Sequence, residues 1–430
     1  MSTSIMLFTR DLRIRDNPAL AAACGADRVV PLFVFDDAIL DGPFAAPNRV
    51  RFLLDSLADL RTSLRELGGD LVVRRGDPVA EVARLASETR AETVVLADER
   101  SAYATRRLAR LREEGLTVAA HPGITVVPPG ELTPGSGEHY RVFTPYWRVW
   151  DTTRWRPAAE VPEAVRLPSG VRAGALPRLT ALTAGSPSPD LARGGERAGR
   201  RRMEEWLRGD AARYEEAHDD LAADRTSRLS PYLKFGCVSP RELAEAAPDG
   251  ARRQLAWRDF HHQVAAAFPA LAREDYRPRG RTWNDDREAL AAWCDGRTGI
   301  PIVDAGMRQL HREGFMHNRA RLITASFLTR DLGVDWRQGL RHFNDWLADG
   351  DIADNAGNWQ WVAGTGNSTR PDQVMKPLRQ ASRFDPRGDY VRAHVPELAG
   401  IEGARVHRPW TLPGSRRDAL DYPAPIVDVG

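Results

Sequence analysis

Between Asp349 and Trp361 the chain reads Asp-Gly-Asp-Ile-Ala-Asp-Asn-Ala-Gly-Asn-Trp-Gln-Trp. Carboxylates, amides and two indoles in so short a run are too polar for an ordinary buried helix. If the second half is helical, Asn355 and Trp359 share a face at i, i+4, whereas Trp359 and Trp361 diverge by roughly 200°. The indoles then serve two compartments; the alternative is a capped helix whose tryptophans only fill the core. In Phe315-Met-His-Asn-Arg-Ala-Arg-Leu322, Asn318, Arg321 and Leu322 stand at i, i+3 and i+4 and present an amide, a guanidinium and an apolar surface together. A planar ligand with polar edges suits that face. A buried Arg321 needs a carboxylate, for which Asp349 is the candidate, while Arg319 reads as a solvated surface arginine.

Thr226-Ser-Arg-Leu-Ser230 puts three hydroxyls ahead of Pro231, the composition of a helix start that caps itself or holds a phosphate. Gln254, Trp257 and His261 share another helical face, one that could stack on and hydrogen-bond a base or could be a packed core edge. There is no HExxH, no Gly-x-Ser-x-Gly elbow and no zinc-ligand spacing around His261, His262, His311 and His317, which weakens hydrolase and metalloenzyme readings.

Two kinds of element must position these residues. From residue 4 to about 127, β-branched runs at Ser4–Phe8, Val29–Phe35, Asp70–Arg74, Thr93–Ala97 and Thr117–Ala120 alternate with helical patterns, the rhythm of a parallel sheet with crossover helices. The stretch Arg49–Leu67 spaces Val50, Leu53, Leu54, Leu57, Leu60 and Leu64 as a helix covering one sheet face. No dinucleotide or P-loop glycine fingerprint follows any strand. Residues 157–200 are dense in Pro, Gly, Ser and Arg and read as a linker. Beyond Arg201 the pattern is helical, and all 12 tryptophans lie after residue 146. The expected division is 1–127 as an α/β Rossmann-like domain, 128–200 as linker, and 201–430 as a helical domain.

With 430 residues, 42% hydrophobic and 28% charged, the chain supports two or three cores and excludes global disorder and fibre. A net charge of +2 neither demands nor excludes nucleic acid. The dispersed Cys24, Cys237 and Cys294, and an N-terminus without a long apolar run, lead us to expect a reduced cytoplasm, no signal peptide and no membrane span. Only Lys234 and Lys376 among 61 basic residues are lysine, which suggests a GC-rich bacterial genome.

Together Phe8-Thr-Arg-Asp-Leu-Arg-Ile-Arg-Asp-Asn-Pro18, Thr226–Ser230, Trp257-Arg-Asp-Phe260, Thr298-Gly-Ile-Pro-Ile-Val-Asp-Ala-Gly-Met-Arg308, Met316-His-Asn-Arg319 and Asp349–Trp361 resemble the DNA photolyase/cryptochrome family over nearly the whole chain, closest to class I bacterial members that repair cyclobutane pyrimidine dimers. The resemblance implies an N-terminal antenna-chromophore domain and a helical domain holding FAD. It implies that Tyr214, Thr226, Ser227, Leu229 and Ser230 hold the FAD phosphates, that Asn318, Arg321, Asp349 and Asp351 line the flavin, and that Asn355 faces its N5. It further implies an electron-transfer chain Trp359, Trp336, Trp293 ending at solvent, and a flipped dimer embraced by Trp257 and Trp361 with Gln254, Leu322 and the phosphate contact Arg319 nearby.

The departures cluster on the DNA side. Gln254 stands where Glu is usual, Leu322 where Met is, and His218 where Arg is expected. Gln373 and Lys376 replace an Arg and an Asn, Asp354 stands beside Asn355, and Asn318 disfavours a (6-4) photolyase. Two functions follow from the resemblance: light-driven dimer repair by electron transfer from excited reduced FAD, with damaged DNA as partner, or a cryptochrome-like blue-light receptor. The altered DNA side favours the receptor; Asn355 and the lack of a long extension after Trp410 favour repair. The expected antenna is 8-hydroxy-5-deazaflavin in preference to folate, following the GC-rich composition, and the expected assembly is a monomer without a membrane or an obligate protein partner.

Overall fold

The computed structural model describes residues 1–429. Five parallel strands, β1 (Thr3–Leu7), β2 (Arg28–Asp36), β3 (Val72–Gly76), β4 (Thr93–Ala97) and β5 (Thr117–His121), lie in the order β3-β2-β1-β4-β5. Helices α1 (Pro18–Ala23), α2 (Pro47–Glu66), α3 (Pro78–Thr89) and α4 (Ala102–Glu113) make the crossovers. Alternation along each strand feeds two cores. Ile5, Leu7, Leu32 and Val94 join Val82 and Leu85 of α3 on one side; Met6, Phe33 and Val95 join Leu57, Leu60 and Leu64 of α2 on the other. That second core runs on without a break into the helical half.

Four of the expected strands match within a residue or so, but β3 begins at Val72 and not at Asp70. Asp70 pairs with Arg65 at 3.0 Å, and the Leu71 carbonyl accepts from Arg61 Nη2 at 2.7 Å. The end of α2 has taken these two residues' polar groups, so pairing with β2 starts only at Leu32↔Val72.

The stretch read as linker is not all irregular, for it contains helix α5 (Phe143–Thr152) and ends inside α6 (Glu196–Arg208). In α5, Phe143, Tyr146 and Trp150 are buried. Its partner is α7 (Asp249–Ala267). Asp259 of α7 accepts from the Val126 and Val127 N–H groups at 3.0 and 2.9 Å and from the Trp150 indole at 2.9 Å, tying the end of the α/β domain to the helical half through one carboxylate oxygen. The rest of the site is carried by α8 (Pro301–Glu313), α9 (Asn318–Ser326), α10 (Trp336–Trp346) and α11 (Ile352–Ala363). No helix among the described residues is long and apolar enough to cross a membrane.

The two halves also meet where Leu12 N–H donates to Phe235 O at 3.1 Å and Arg13 Nη1 to Gly236 O at 3.0 Å. Gly236 has φ +65°, and a Cβ there would lie 2.0 Å from the Arg10 carbonyl. Only glycine permits this approach.

Burial raises the Asp259 carboxyl to about 7 against the lowering by Arg258 and its three donors. A folded-state value above the unfolded one means the group's contribution to stability is full below the unfolded pKa and is lost as pH rises through about 7. In Asp259→Asn one oxygen can still accept all three N–H groups. The unfolding free energy of the variant minus that of wild type should therefore grow from pH 4 to pH 7 and level off above, with a span of at most about 4 kcal/mol; denaturant melts across that range check it.

Candidate active site

A cleft of about 270 Å³ opens in the helical half. Helix α7 contributes Gln254, Trp257, Arg258 and His261, one face at i, i+3, i+4 and i+7. Helix α9 turns Asn318, Arg321 and Leu322 toward it, α11 adds Asn355 and Trp359, and Tyr214 and the Thr226–Ser230 loop close one end. Close approach of α7 and α11 depends on Gly357, where a Cβ would stand 2.7 Å from the His261 ring.

The loop does not cap the short helix Ser230–Lys234 that follows it, which overturns the self-capping reading. Thr226 Oγ1 donates to Asp224 at 3.1 Å, Ser227 Oγ accepts from Leu229 N–H at 3.4 Å, and Ser230 Oγ donates to Asp349. Arg228 sits at φ +52°, an uncommon conformation for a side chain with a Cβ. It is held there by ion pairs to Asp224 and Glu313 and by its seat over the Phe315 ring at 4.8 Å. The sequence reading missed Arg228, although an arginine directly after Thr226 and Ser227 was the available signal.

Asp349 takes both arms of Arg321, Nη1 to Oδ1 at 3.1 Å and Nη2 to Oδ2 at 2.7 Å, the pairing expected from sequence. Its side chain is only 2% exposed. Two residues on, Asp351 caps α11 by accepting from Ala353 N–H at 2.9 Å and pairs with Arg10 of the α/β domain. Arg10 also donates to Lys234 O at 3.1 Å and to Glu99 at 3.0 Å. Burial works to raise the Asp351 carboxyl, but Arg10, His262 and Lys234 outweigh it and hold it well below the usual carboxylate range. Burial, then the Arg10 charge, pushes the Lys234 ammonium down to about 7, and burial pushes His262 down to about 4. At the start of α9, His317 Nδ1 accepts the Arg319 N–H at 3.2 Å as that helix's cap. Burial holding His317 at about 4 keeps it neutral and able to accept.

The indoles separate as the helical geometry requires. Trp359 is buried and lines the cleft; its ring occupies space left by Gly339 of α10, where a Cβ would meet it at 2.1 Å. Trp361 is half-buried and does not line this cleft. Trp257 stacks on Phe143 of α5, centroids 3.7 Å apart and rings 9° from parallel, so one of its faces is already taken. Arg319 lies outside the lining and pairs with Asp219.

The tryptophan chain needs a correction. Trp293 packs against Trp359 with centroids 6.1 Å apart, but it is 0% exposed and cannot be where charge reaches solvent. Trp336 is equally enclosed, with its indole N–H on Asp275 at 3.0 Å. A route to solvent would need a partly exposed indole, and Trp283 is one, with its neighbour Asn284 paired to Gly333 and Val334 just ahead of Trp336. Sequence spacing alone gave no sign of which tryptophan was exposed.

Residues 251–430 match the FAD binding domain of DNA photolyase, and residues 4–164 match the DNA photolyase family. Over 443 aligned residues the chain is 52% identical to a deoxyribodipyrimidine photo-lyase of Streptomyces griseus, covering 100% of this chain and 97% of that one. The chain belongs to the DNA photolyase/cryptochrome superfamily. Among solved structures, a bacterial class III photolyase from Agrobacterium tumefaciens superposes with a TM-score of 0.92 at 35% identity over 100% of this chain and 95% of that one. A Synechocystis cryptochrome gives 0.91 at 27% identity, over 100% and 97%. Membership confirms the N-terminal parallel-sheet domain and the helical FAD-binding domain expected from sequence.

The donor set suits FAD: hydroxyls and Arg228 at one end for phosphate, an amide and guanidinium midway, and Trp359 and Phe343 as an aromatic wall. Arg321→Ala would leave the Asp349 carboxylate buried without its bidentate partner, and breaking such a pair typically costs about 3–5 kcal/mol. We expect the purified variant to retain far less flavin than wild type, as read by the flavin-to-protein absorbance ratio.

Proposed function

We propose that the protein repairs cyclobutane pyrimidine dimers in DNA using light, with FAD bound by Tyr214, Thr226, Ser227, Leu229, Ser230, Asn318, Arg321, Asp349, Asp351 and Asn355. The observation that carries this reading is the cleft's division. A polar, charge-balanced interior runs from the hydroxyl loop to Asn355, and the half-exposed Trp257 stands beside the exposed Gln254 on one face of α7. When bound and reduced, FAD would supply light-driven one-electron chemistry to a dimer held in the cleft. What remains for the protein is to hold, stack and exclude water, so a cleft of amides and indoles is suited to the task.

Trp257, braced by Phe143, offers its remaining face to a flipped dimer, with Leu322 as apolar floor, and Trp361 stacks on the dimer from outside this lining. Gln254 can hydrogen-bond base edges. The cryptochrome reading draws on Gln254 in place of a carboxylate and on the ion pair that occupies Arg319.

For the antenna, the carboxyl ends of the strands hold the buried polar atoms Thr9 Oγ1, Asp36 Oδ2 and Asp98 Oδ1 without a hydrogen-bond partner, and Arg107 Nε of α4 is likewise unpartnered. They surround the point where strand order reverses between β1 and β4, the usual ligand position of such sheets. A planar chromophore with ionisable edges, 8-hydroxy-5-deazaflavin in preference to folate, suits these groups. Arg107→Ala should abolish the chromophore's absorption band while leaving that of FAD.

Illuminating the chemically reduced holoprotein with a dimer-containing oligonucleotide tests the function. We expect dimers to disappear with illumination, and Trp257→Ala to weaken dark binding by about 1–3 kcal/mol. Dimers left intact at saturating DNA would favour the receptor. In oxidised holoprotein, Trp359→Phe and Trp283→Phe should slow photoreduction sharply while leaving repair by pre-reduced protein in place; unchanged photoreduction would refute the assigned route.

A further inference from the structure

Arg319 follows Asn318 in α9, so its side chain leaves the cleft for the adjoining surface. There its guanidinium lies over the Phe384 ring at 4.3 Å. Both oxygens of Asp219 accept from it: Nη2 donates at 2.8 and 2.7 Å and Nε at 3.0 Å. Asp219 is not loosely hung. Leu221 N–H donates to the Phe384 carbonyl at 3.2 Å, and Asp220 Oδ1 accepts from Ala222 and Ala223 N–H at 3.1 and 3.0 Å. The loop is thus pinned to the same Phe384 that seats Arg319. The exposed Arg383 stacks on that ring at 5.0 Å, and His218 Nε2 stands 3.7 Å from Asp219 Oδ1.

We infer that Asp219 occupies the place of a DNA backbone phosphate on Arg319, so that a strand gains this contact only by displacing the carboxylate; the inference rests on the DNA reading above. A carboxylate and a phosphate present the same pair of acceptor oxygens to a guanidinium fork. The pair is accessible to exchange, with side chains 20% and 26% exposed. Once displaced, Asp219 is an uncompensated anion beside the strand. It therefore lowers affinity for the backbone whatever the bases, because phosphate contacts position a strand without reading its sequence.

The test measures dark binding of the FAD-loaded full chain to a duplex with one thymine dimer and to the undamaged duplex, between 50 and 200 mM salt. Asp219→Asn should tighten both by roughly threefold to tenfold and steepen the log–log salt dependence by roughly 0.9. Arg319→Ala should cost less than about twofold in the wild-type background, where the guanidinium is already engaged, yet remove most of the gain in the Asp219→Asn background. Asp219→Glu, which keeps the charge, should bind like wild type, and this guards against a simple folding defect. An equal cost of Arg319→Ala in both backgrounds, or an unchanged salt slope in Asp219→Asn, would overturn the role of Asp219. Failure of the wild-type holoprotein to bind either duplex would instead overturn the DNA reading itself.

Discussion

Two carboxylates, Asp349 and Asp351, are buried on either side of Gly350 at the start of α11. Placing two negative charges so close together in a protein interior is costly unless each is met by a cation and by hydrogen bonds. Arg321 meets one from within the helical half, and Arg10 meets the other from the end of β1. The helix carrying Asn355 and Trp359 is therefore anchored at its first turn to both halves of the molecule. Arg10 is in turn fixed by Glu99 and the Lys234 carbonyl, so the same contacts join the carboxyl ends of the sheet to the floor of the cleft.

This constraint explains why the α/β domain belongs to the site although it lines almost none of it. The sheet sets where Arg10 stands, Arg10 sets where α11 begins, and α11 sets which tryptophan faces the cleft. The aromatic walls follow from small residues: Gly339 leaves room for Trp359, and Gly357 lets α7 come close enough for Trp257, His261 and Asn355 to share one space. Glycine inside a helix costs up to about 1 kcal/mol relative to alanine. Two such positions, each against the ring of a residue that lines the cleft, mark where packing has outweighed helix propensity.

Much of this was legible in the sequence because it depends on periodicity. The alternating strands, the cleft-facing side of α7 and the opposed directions of Trp359 and Trp361 all follow from residue spacing along one element. The Arg321–Asp349 pair was legible because a buried guanidinium has few acceptable partners. What was not legible depends on contacts between distant segments. The start of β3 was moved by the polar groups of α2, α5 is a ten-residue helix whose buried face is set by its packing on α7, and the full burial of Trp293 comes from packing against Phe343 and Trp359. Arg10 is one arginine among many in its segment, and nothing in its neighbours announces a partner more than three hundred residues away.

Hydrogen–deuterium exchange on the full-length holoprotein and its Arg10→Met variant tests most directly whether this anchoring organises the site. The account predicts that exchange rises together in Phe8–Leu12 and in the first turns of α11, with weaker flavin retention alongside. A change confined to Phe8–Leu12, with α11 protected as in wild type, would contradict it.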